Sequence, residues 1–532
     1  MRSPLTYQAL WGLLLFVQFA LLPAQATPLP PTLSAVDLLL LNRITYGLNP
    51  DTINQYQRLG RERYLENQLI FRGDQALPPE LQQRIAAMEI SLKTPADLLA
   101  ERHLTQQKIQ SSPNSDDKAK LRQAINVSNN ALITESAERR ILRSVYSENQ
   151  LQELLTWFWF NHFNVFRYKD NNNILIADYE EHAIRPHVLG KFRDLVMATL
   201  THPAMLNYLD NAQNAAGASN ENYARELMEL HILGIHGGYT QQDVQSLAKI
   251  LTGVGVDYSG KGCADGQTSL TAAPGNVAGT LFCFYPKRHD RSEKIFLGQI
   301  FPAGGGREEV TRAIDLMVKQ PATAHYIAHE LAVYLLSDNP PDTVVNAMAH
   351  TFQLSDGDIA QTLSTLFHSK AFKSGKYFAT KYKDPVQYVV SAVRLLYGDA
   401  PIQDVRPVVN WINQLDEPLY EHLAPDGYGM RESDWLSADQ MSKRFDIAKA
   451  IDLNVGVLYT DENAAIKLDM SDKPQLQALR KQAREDHPID SFGIYSLLYP
   501  ILSAQTFATL RKSLTMDEWN SLLLSSPEFM YR

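Results

Sequence analysis

Apolar residues recur at intervals of three and four along most of the chain, which is the spacing of amphipathic helices. Ser34–Gly47 and Asp51–Ile70 are the first two such segments, and glycine or proline separates many of the later ones. Two shorter runs, Thr280–Phe284 and Lys294–Ile300, are β-like and flank a polar segment, so they can form a hairpin. The pattern predicts a mainly α fold, a multi-helical array with a small β-hairpin-like excursion near residues 280–300.

The most informative stretch is Ser219–Gly253, which predicts two helices joined by a tight glycine turn. Ser219 or Asn220 can cap the first helix, because a short side-chain oxygen accepts the free backbone N–H groups at a helix start. Thr240 caps the second helix, and Asp243 three residues later completes a pattern similar to a capping box.

One face of the first of these helices is polar. Asn222, Glu226 and Glu229 share it under a period of 3.6 residues, beside an apolar stripe. Such a face can form the wall of a site. It can equally be the solvent-exposed face of an ordinary amphipathic helix, on which Arg225 pairs with Glu229. Spacing alone favours the ordinary helix.

Leu151–Phe166 is the most aromatic segment and is apolar nearly all round, which predicts a buried helix. Asn161 and His162 lie within it, and buried polar groups need partners. His162 is therefore either a satisfied core histidine or part of a site. Further along, Arg185 lies four residues after Glu181, a spacing at which the two side chains can pair.

His289 and Asp290 are adjacent in the polar segment between the two β-like runs. A carboxylate can orient and polarise an imidazole, which makes the two residues a candidate pair. Adjacent histidine and aspartate are also common on protein surfaces, and that is the competing interpretation.

The N-terminus is typical of a secretory signal. Arg2 precedes an apolar run from Ala9 to Leu22, and residues 24–26 read Ala-Gln-Ala, a signal-cleavage pattern. The alternative is an uncleaved membrane anchor, but the run is short for a bilayer span. We expect residues 1–26 to be a signal peptide and the mature protein to reach the periplasm or the outer cell envelope.

Cys263 and Cys283 are the only cysteines. Export to an oxidising compartment favours a disulfide that closes the loop between them, and two free buried thiols are the alternative. A zinc site is poorly supported, because two such ligands are too few.

Composition narrows the function further. The formal net charge of −9 over 532 residues, without any basic block, argues against a nucleic-acid partner. The short motifs of nucleotide-binding proteins, zinc proteases and serine hydrolases are absent. Catalysis by carboxylates or histidines needs no short motif and stays open. No stretch after the signal is apolar enough to span a membrane.

A family resemblance rests on several collinear motifs. They are LNRITYG (41–47), WFNHF (159–163), RPHVLGKF (185–192), HPAMLNYLDN (202–211), NENYARELMELHILG (220–234) and HDRSEKIFLG (289–298). With these motifs the chain resembles the large bacterial family called domain of unknown function 1800. The resemblance implies a helical main domain over residues 27–400, with a loop and hairpin insertion at 254–300, and a C-terminal helical part over 401–532 of the same unit.

What the resemblance implies about function is limited. Such proteins look exported and are often encoded beside an exported sulfatase-like partner, and no reaction, cofactor or substrate comes with the family. Relatives keep the carboxylates of the ARELMEL helix. The resemblance therefore favours two interpretations of Arg225 and Glu226 equally, a buried structural pair and a functional site. One departure concerns Gly427-Tyr428, where relatives usually have Gly-Trp.

The first functional hypothesis is an exported enzyme or metal-binding protein. Glu226 or Glu229 would be the general acid or base, Arg225 an anion clamp, and His162 or His289 a second proton carrier. Carboxylates with histidine could also hold a divalent cation.

Four further residues are candidate substrate ligands: Asn161, Asn222, Arg185 and Asp290. The enzyme hypothesis requires Asn161, His162, Asn222 and Glu226 to converge in one cleft. The alternatives are a non-catalytic binding or assembly protein that acts with the sulfatase-like partner, and a polysaccharide binder suggested by the 24 tyrosines.

Overall fold

The fold is described by a computed structural model over residues 33–258, 263, 281–398, 400–453, 455–460 and 472–532. The predicted signal at residues 1–26 lies outside these residues. Helices make up most of the described chain. In the N-terminal half the α-helices are α1 Ala35–Ile44, α2 Pro50–Leu59, α3 Arg61–Gln68, α4 Pro79–Ala86, α5 Glu89–Leu92, α6 Pro95–Ser111, α7 Ser115–Tyr146, α8 Gln150–His162, α9 Asn172–Asp178, α10 Phe192–Leu200, α11 Pro203–Tyr208, α12 Glu221–Glu226 and α13 Gln241–Ile250.

The C-terminal half is also helical. Its α-helices are α14 Glu308–Val318, α15 Pro321–Leu335, α16 Asp342–Leu354, α17 Ile359–His368, α18 Lys370–Lys373, α19 Pro385–Tyr397, α20 Arg406–Gln414, α21 Glu432–Trp435, α22 Ala438–Leu453, α23 Val455–Leu458, α24 Lys473–Asp486, α25 Ser491–Leu498, α26 Ala504–Leu510, α27 Met516–Leu524 and α28 Pro527–Met530. Short 3₁₀ turns occur at Gly73–Ala76, Arg185–His187, Asn211–Gln213 and Tyr499–Ile501, and π-helical turns at Tyr179–Ile184 and Leu227–Ile232.

The predicted helix starts at Asn220 and Thr240 are confirmed. The Asn220 side chain accepts from the backbone N–H of Asn222 at 2.9 Å and caps α12. Thr240 and Asp243 form a complete capping box at the start of α13, in which each side chain accepts from the other residue's backbone N–H. These starts were predictable because capping depends only on residues within one helical turn.

The strands exist, but the predicted pairing between the two β-like runs is wrong. Phe282–Phe284 (β2) pairs antiparallel with Val254–Val256 (β1), which lies about thirty residues earlier in the sequence. Lys294–Phe296 (β3) pairs with Gln299–Phe301 (β4) in a tight hairpin of its own. The described chain therefore has a mainly α fold with two small antiparallel two-stranded sheets.

The core is built around two helices with buried residues on every side. In α19 all thirteen residues are buried, and in α8 the buried stretch runs from Gln150 to Phe160. One apolar cluster extends from Leu38 to Met530. Tyr382 and Tyr531 form a β-bridge, so residues of the C-terminal part contact those of the preceding helices directly.

Candidate functional site

The chain leaves regular α-geometry directly after α9. Tyr179–Ile184 forms a π-helical turn, and the 3₁₀ turn Arg185–His187 follows it. Pro186 has no backbone N–H and cannot continue an α-helix without strain, which explains why the helical geometry changes here. π-turns of this kind occur often at functional sites, because they re-aim the side chains that they carry.

A cavity of about 710 Å³ lies beside this π-turn. Its wall combines residues from the segment between Asp74 and the start of α6 with residues of α7, α9, the π-turn, α10 and α11, and with Leu281 just before β2. The polar residues that line it include Asp74, Lys93, Arg139, Arg143, Asp178, Glu181, His182 and His202. A cavity of this size is in the range of small-molecule sites, and it brings together titratable groups that are far apart in sequence.

Two histidines hold one carboxylate in this cavity. His182 Nδ1 lies 2.7 Å from Asp178 Oδ1, and His202 Nε2 lies 2.9 Å from Asp178 Oδ2. His202 Nδ1 accepts from the backbone N–H of Ala204 at 3.1 Å, so its Nε2 carries the proton and donates to Asp178. The carboxylate is thereby fixed from both sides.

The second nitrogen of His182 is available for chemistry. The side chain is 63% exposed, and Nε2 makes no hydrogen bond within the described part of the chain. Because Nδ1 bonds to Asp178, the imidazole is oriented while Nε2 stays accessible. An imidazole oriented by a carboxylate is the arrangement of a general base.

The ionisation of these groups follows from their contacts. Burial alone would raise the pKa of Asp178, but the hydrogen bonds from His182 and His202 outweigh it and hold that pKa well below its usual range. The hydrogen bond to Asp178 raises the pKa of His182 above its ordinary value of 6.5, against the opposing effect of partial burial. Asp178 is thus a fixed anion beside a histidine that titrates above 6.5.

Paired ions form the cavity wall next to His182. Arg143 donates to Glu181 Oε2 and to Asp74 Oδ2, each at 2.6 Å. Arg139 lies 3.3 Å from the same oxygen of Glu181 and donates to the backbone oxygen of Ala177 at 2.6 Å. Both guanidinium groups are therefore already neutralised by carboxylates, so this wall is polar without a net positive charge.

The ion network continues into the core. Arg140 pairs with Glu180 at 2.7 Å, with both side chains 1% exposed. Arg185, a predicted substrate ligand, is also buried and donates to Glu153 at 2.7 Å. Its distance to Glu181 is 4.0 Å, so the predicted pair is present at the limit of ion pairing. Arg185 lies behind the cavity wall and supports it.

A match to a protein-family model covers residues 39–531, nearly the whole chain, under the description "Protein of unknown function (DUF1800)". The chain belongs to the DUF1800 family. No match is found among curated proteins or among solved structures.

In this DUF1800 protein the predicted carboxylate helix lies on the surface. Arg225 contacts Glu221 at 3.2 Å and Glu229 at 3.6 Å, and these side chains are 30–37% exposed. Burial raises the pKa of Glu226, and the charges on Glu229 and Asp426 add to that effect. Asn222 is exposed, and its side chain donates to the backbone oxygen of Leu209 at 3.4 Å.

The predicted residues of the aromatic helix have structural partners. Asn161 Nδ2 donates to the backbone oxygen of Tyr428 at 2.7 Å, and its Oδ1 accepts from the N–H of the same residue at 2.6 Å. His162 Nε2 lies 2.9 Å from the backbone oxygen of His231, and burial lowers the pKa of His162. Asn161, His162, Asn222 and Glu226 are each absent from the lining of the 710 Å³ cavity.

His289 and Asp290 bond to other groups and not to each other. The buried His289 has Nδ1 at 2.8 Å from the backbone oxygen of Thr252 and Nε2 at 3.3 Å from Glu309 Oε2. Lys294 donates to the same Glu309 oxygen at 2.7 Å. Asp290 Oδ1 accepts from the backbone N–H of Ser292 at 2.8 Å. In this family member His289 belongs to a buried ion cluster.

Three further findings bear on the sequence predictions. The Cys263–Cys283 disulfide is present, as predicted. Over the described ranges no group of three His, Cys, Asp or Glu side chains is placed to hold a metal ion. In the same part of the chain no helix is both long and apolar enough to cross a membrane.

Sequence reasoning did not select Asp178, His182 and His202 as site residues. The signal was the i,i+4 spacing of Asp178 and His182 in DYEEH, at which two side chains on a helix are neighbours. His202 opens the motif HPAMLNYLDN, on which the resemblance to DUF1800 proteins partly rests. Neither signal reveals the cavity, because its wall comes from segments distant in sequence.

Proposed function

We propose that this DUF1800 protein is a hydrolase in which His182 activates water in the 710 Å³ cavity. The observation that carries the proposal is the contact of 2.7 Å between His182 Nδ1 and Asp178 Oδ1 at the cavity wall, which leaves Nε2 without a partner among the described residues. The proposal retains the acid–base catalysis that the sequence predicts, but it assigns this chemistry to His182 and Asp178 in place of the residues predicted there.

In the proposed step, neutral His182 takes a proton from water at Nε2 while the water oxygen bonds to the electrophilic atom of the substrate. The imidazolium then returns that proton to the leaving group as its bond breaks. Asp178 stabilises the imidazolium by its charge and holds the ring through Nδ1. His202 fixes Asp178 from the opposite side, so that the carboxylate cannot rotate away.

The surroundings of His182 favour water as the nucleophile. His182 makes no hydrogen bond to a serine, threonine or cysteine side chain within the described ranges, whereas a nucleophilic side chain would need that contact. The paired Arg139 and Arg143 give the cavity polar walls without a strong preference for anions.

Export is the setting we propose for this activity. The N-terminal pattern of a charge, an apolar run and Ala-Gln-Ala supports it, and so does the Cys263–Cys283 disulfide, since such bonds persist in oxidising compartments. The exported sulfatase-like partner and the non-catalytic assembly role stay predictions from the family resemblance.

The substitution His182→Gln is expected to lower hydrolysis at least about a hundredfold, because it removes the base. The measurement is turnover of a panel of chromogenic carboxylic, phosphate and sulfate esters, amides and glycosides. Above the pKa of His182 the imidazole is neutral, so the wild-type rate should rise with pH through a value above 6.5.

His103→Gln is the matched control, since His103 is an exposed histidine on α6 whose side chain hydrogen-bonds only to Gln107 among the described residues. It should retain wild-type turnover. Both variants should keep the wild-type melting temperature, because both side chains lie mainly in solvent. Failure of the wild type to hydrolyse any of these substrate classes would contradict the proposal, and so would a His182→Gln variant with full activity.

A further inference from the structure

A second cavity, of about 460 Å³, lies at the other end of α9. Its wall comes from α6, the residues just before α9, the end of α11 and the segment after it, and the end of β1. Seven of its nine lining residues are polar, which distinguishes it from the mainly apolar pockets that hold most drug-like ligands. The chemistry of this wall therefore points to a ligand rich in hydrogen-bonding groups.

Asn207 supplies a preorganised hydrogen-bonding group to this cavity. The residue is only 6% exposed, and its Nδ2 donates to the hydroxyl of Tyr258. Its Oδ1 has no partner among the described residues. A buried amide normally uses all of its hydrogen-bonding capacity, so an unused acceptor at a cavity wall suits a ligand hydroxyl.

Tyr258 adds a flat apolar surface beside this amide. Its side chain is 42% exposed, although Asn207 fixes its hydroxyl. A ring that is anchored at one end and open on one face can stack against a ligand at little entropic cost, since its rotation is already restricted.

The charges around this cavity nearly cancel. Asp210 pairs with Lys169 at 2.8 Å, and Asp170 lies on the same wall as Arg102. Arg102 donates to Asn173 Oδ1 at 3.3 Å, while its buried Nε has no partner among the described residues. The lining residues include one cation, Arg102, and two anions, Asp170 and Asp210, so a phosphate or sulfate ligand would meet more negative than positive charge. An apolar ligand would leave these polar groups unsatisfied.

We propose that this cavity binds a neutral sugar unit of a glycan. Sugar hydroxyls donate to amide and carboxylate oxygens and accept from amide and guanidinium N–H groups, while the C–H face of a pyranose ring stacks on an aromatic side chain. Asn207, Arg102 and the two aspartates provide the first set of contacts, and Tyr258 provides the second. The site gives a location to the polysaccharide-binding alternative raised by the tyrosine content.

The sugar site and the proposed hydrolytic site lie close to each other. His202 caps the start of α11 and Asn207 lies five residues later on the same helix, so the two positions are about 7–8 Å apart along its axis. The binding proposal does not rest on the hydrolase proposal, since neither His182 nor Asp178 lines the sugar site.

The test is calorimetric titration of the folded protein with cellobiose, maltose and N,N′-diacetylchitobiose, with glucuronic acid and glucose 6-phosphate as charged comparisons. We expect one of the neutral disaccharides to bind at millimolar concentration or below, and Tyr258→Ala to weaken that binding at least about tenfold. Tyr258→Phe keeps the ring and should retain most of the affinity lost in Tyr258→Ala.

Tyr499→Ala is the matched control, because Tyr499 is a similarly exposed tyrosine, at 56%, that does not line this cavity. It should leave binding unchanged, and so should His182→Gln, which separates this test from that of the hydrolase. The proposal is overturned if none of the neutral sugars binds, if only the charged ligands bind, or if Tyr258→Ala binds as the wild type does.

Discussion

Replacing Arg140 by methionine is expected to lower the free energy of unfolding by about 3–5 kcal/mol. Arg140 and Glu180 lie 2.7 Å apart and are each 1% exposed, and the hydroxyl of Tyr420 donates to the same Glu180 oxygen at 3.0 Å. Methionine fills much of the arginine volume but leaves the Glu180 carboxylate buried without its counter-charge. Urea unfolding at pH 7, followed by circular dichroism, measures the effect.

The matched control is Arg225→Met on the surface helix. Arg225 is 37% exposed, and its pairs with Glu221 and Glu229 lie in solvent, so its loss should cost less than about 1 kcal/mol. Adding Glu180→Leu to Arg140→Met should recover part of the lost stability, because the unpaired charge is then removed. Equal destabilisation by the two single arginine variants would show that the Arg140 pair is no stronger than a surface pair.

Replacing Gly427 by alanine is expected to destabilise the protein by about 2–4 kcal/mol. Gly427 has a φ of +70°, a backbone conformation that residues with a Cβ rarely adopt. A Cβ there would also overlap the backbone oxygen of Asn161 and lie 2.6 Å from its Oδ1. The same Asn161 side chain holds Tyr428 through two hydrogen bonds, so the clash would disturb the loop at its attachment to α8.

Gly60→Ala separates the two causes of this effect. Gly60 has a similar φ of +73°, but a Cβ built there would meet nothing within 4 Å. With a ψ of 165° it lies in a region that is essentially restricted to glycine, so its variant should show only the cost of the backbone conformation, about 1–3 kcal/mol. Thermal unfolding of both variants gives the comparison. If Gly427→Ala is at least as stable as Gly60→Ala, the contact between the added Cβ and Asn161 must relax without cost.

The parts of the fold that could be predicted depend on short-range patterns. The Thr240–Asp243 capping box and the buried aromatic helix α8 were predictable, because capping and helical periodicity involve residues within one or two turns. The partner of β2 was not predictable in this way. It lies in β1, about thirty residues earlier, and hairpin rules favour the nearer run after residue 294.

The site was harder to predict than the fold for the same reason. Arg225 and Glu229 do pair at i,i+4, but a short-range pattern cannot say whether such a pair faces solvent or a cavity. Asp178 and His182 have the same spacing, yet they border a cavity whose wall includes α6, α7 and α11, and His202 at the start of α11 reaches the carboxylate. The two helices differ because segments that are distant in sequence pack beside Asp178 and His182.

The most direct test of the account is the ionisation of His182, measured by NMR titration of histidine-labelled protein and assigned with His182→Gln. We expect a pKa of His182 above 6.5 in the wild type, because Asp178 stabilises the protonated ring. In Asp178→Asn that pKa should fall, since the charge is lost. A His182 pKa at or below 6.5 in the wild type, or one that Asp178→Asn leaves unchanged, would contradict a carboxylate-oriented base in this cavity.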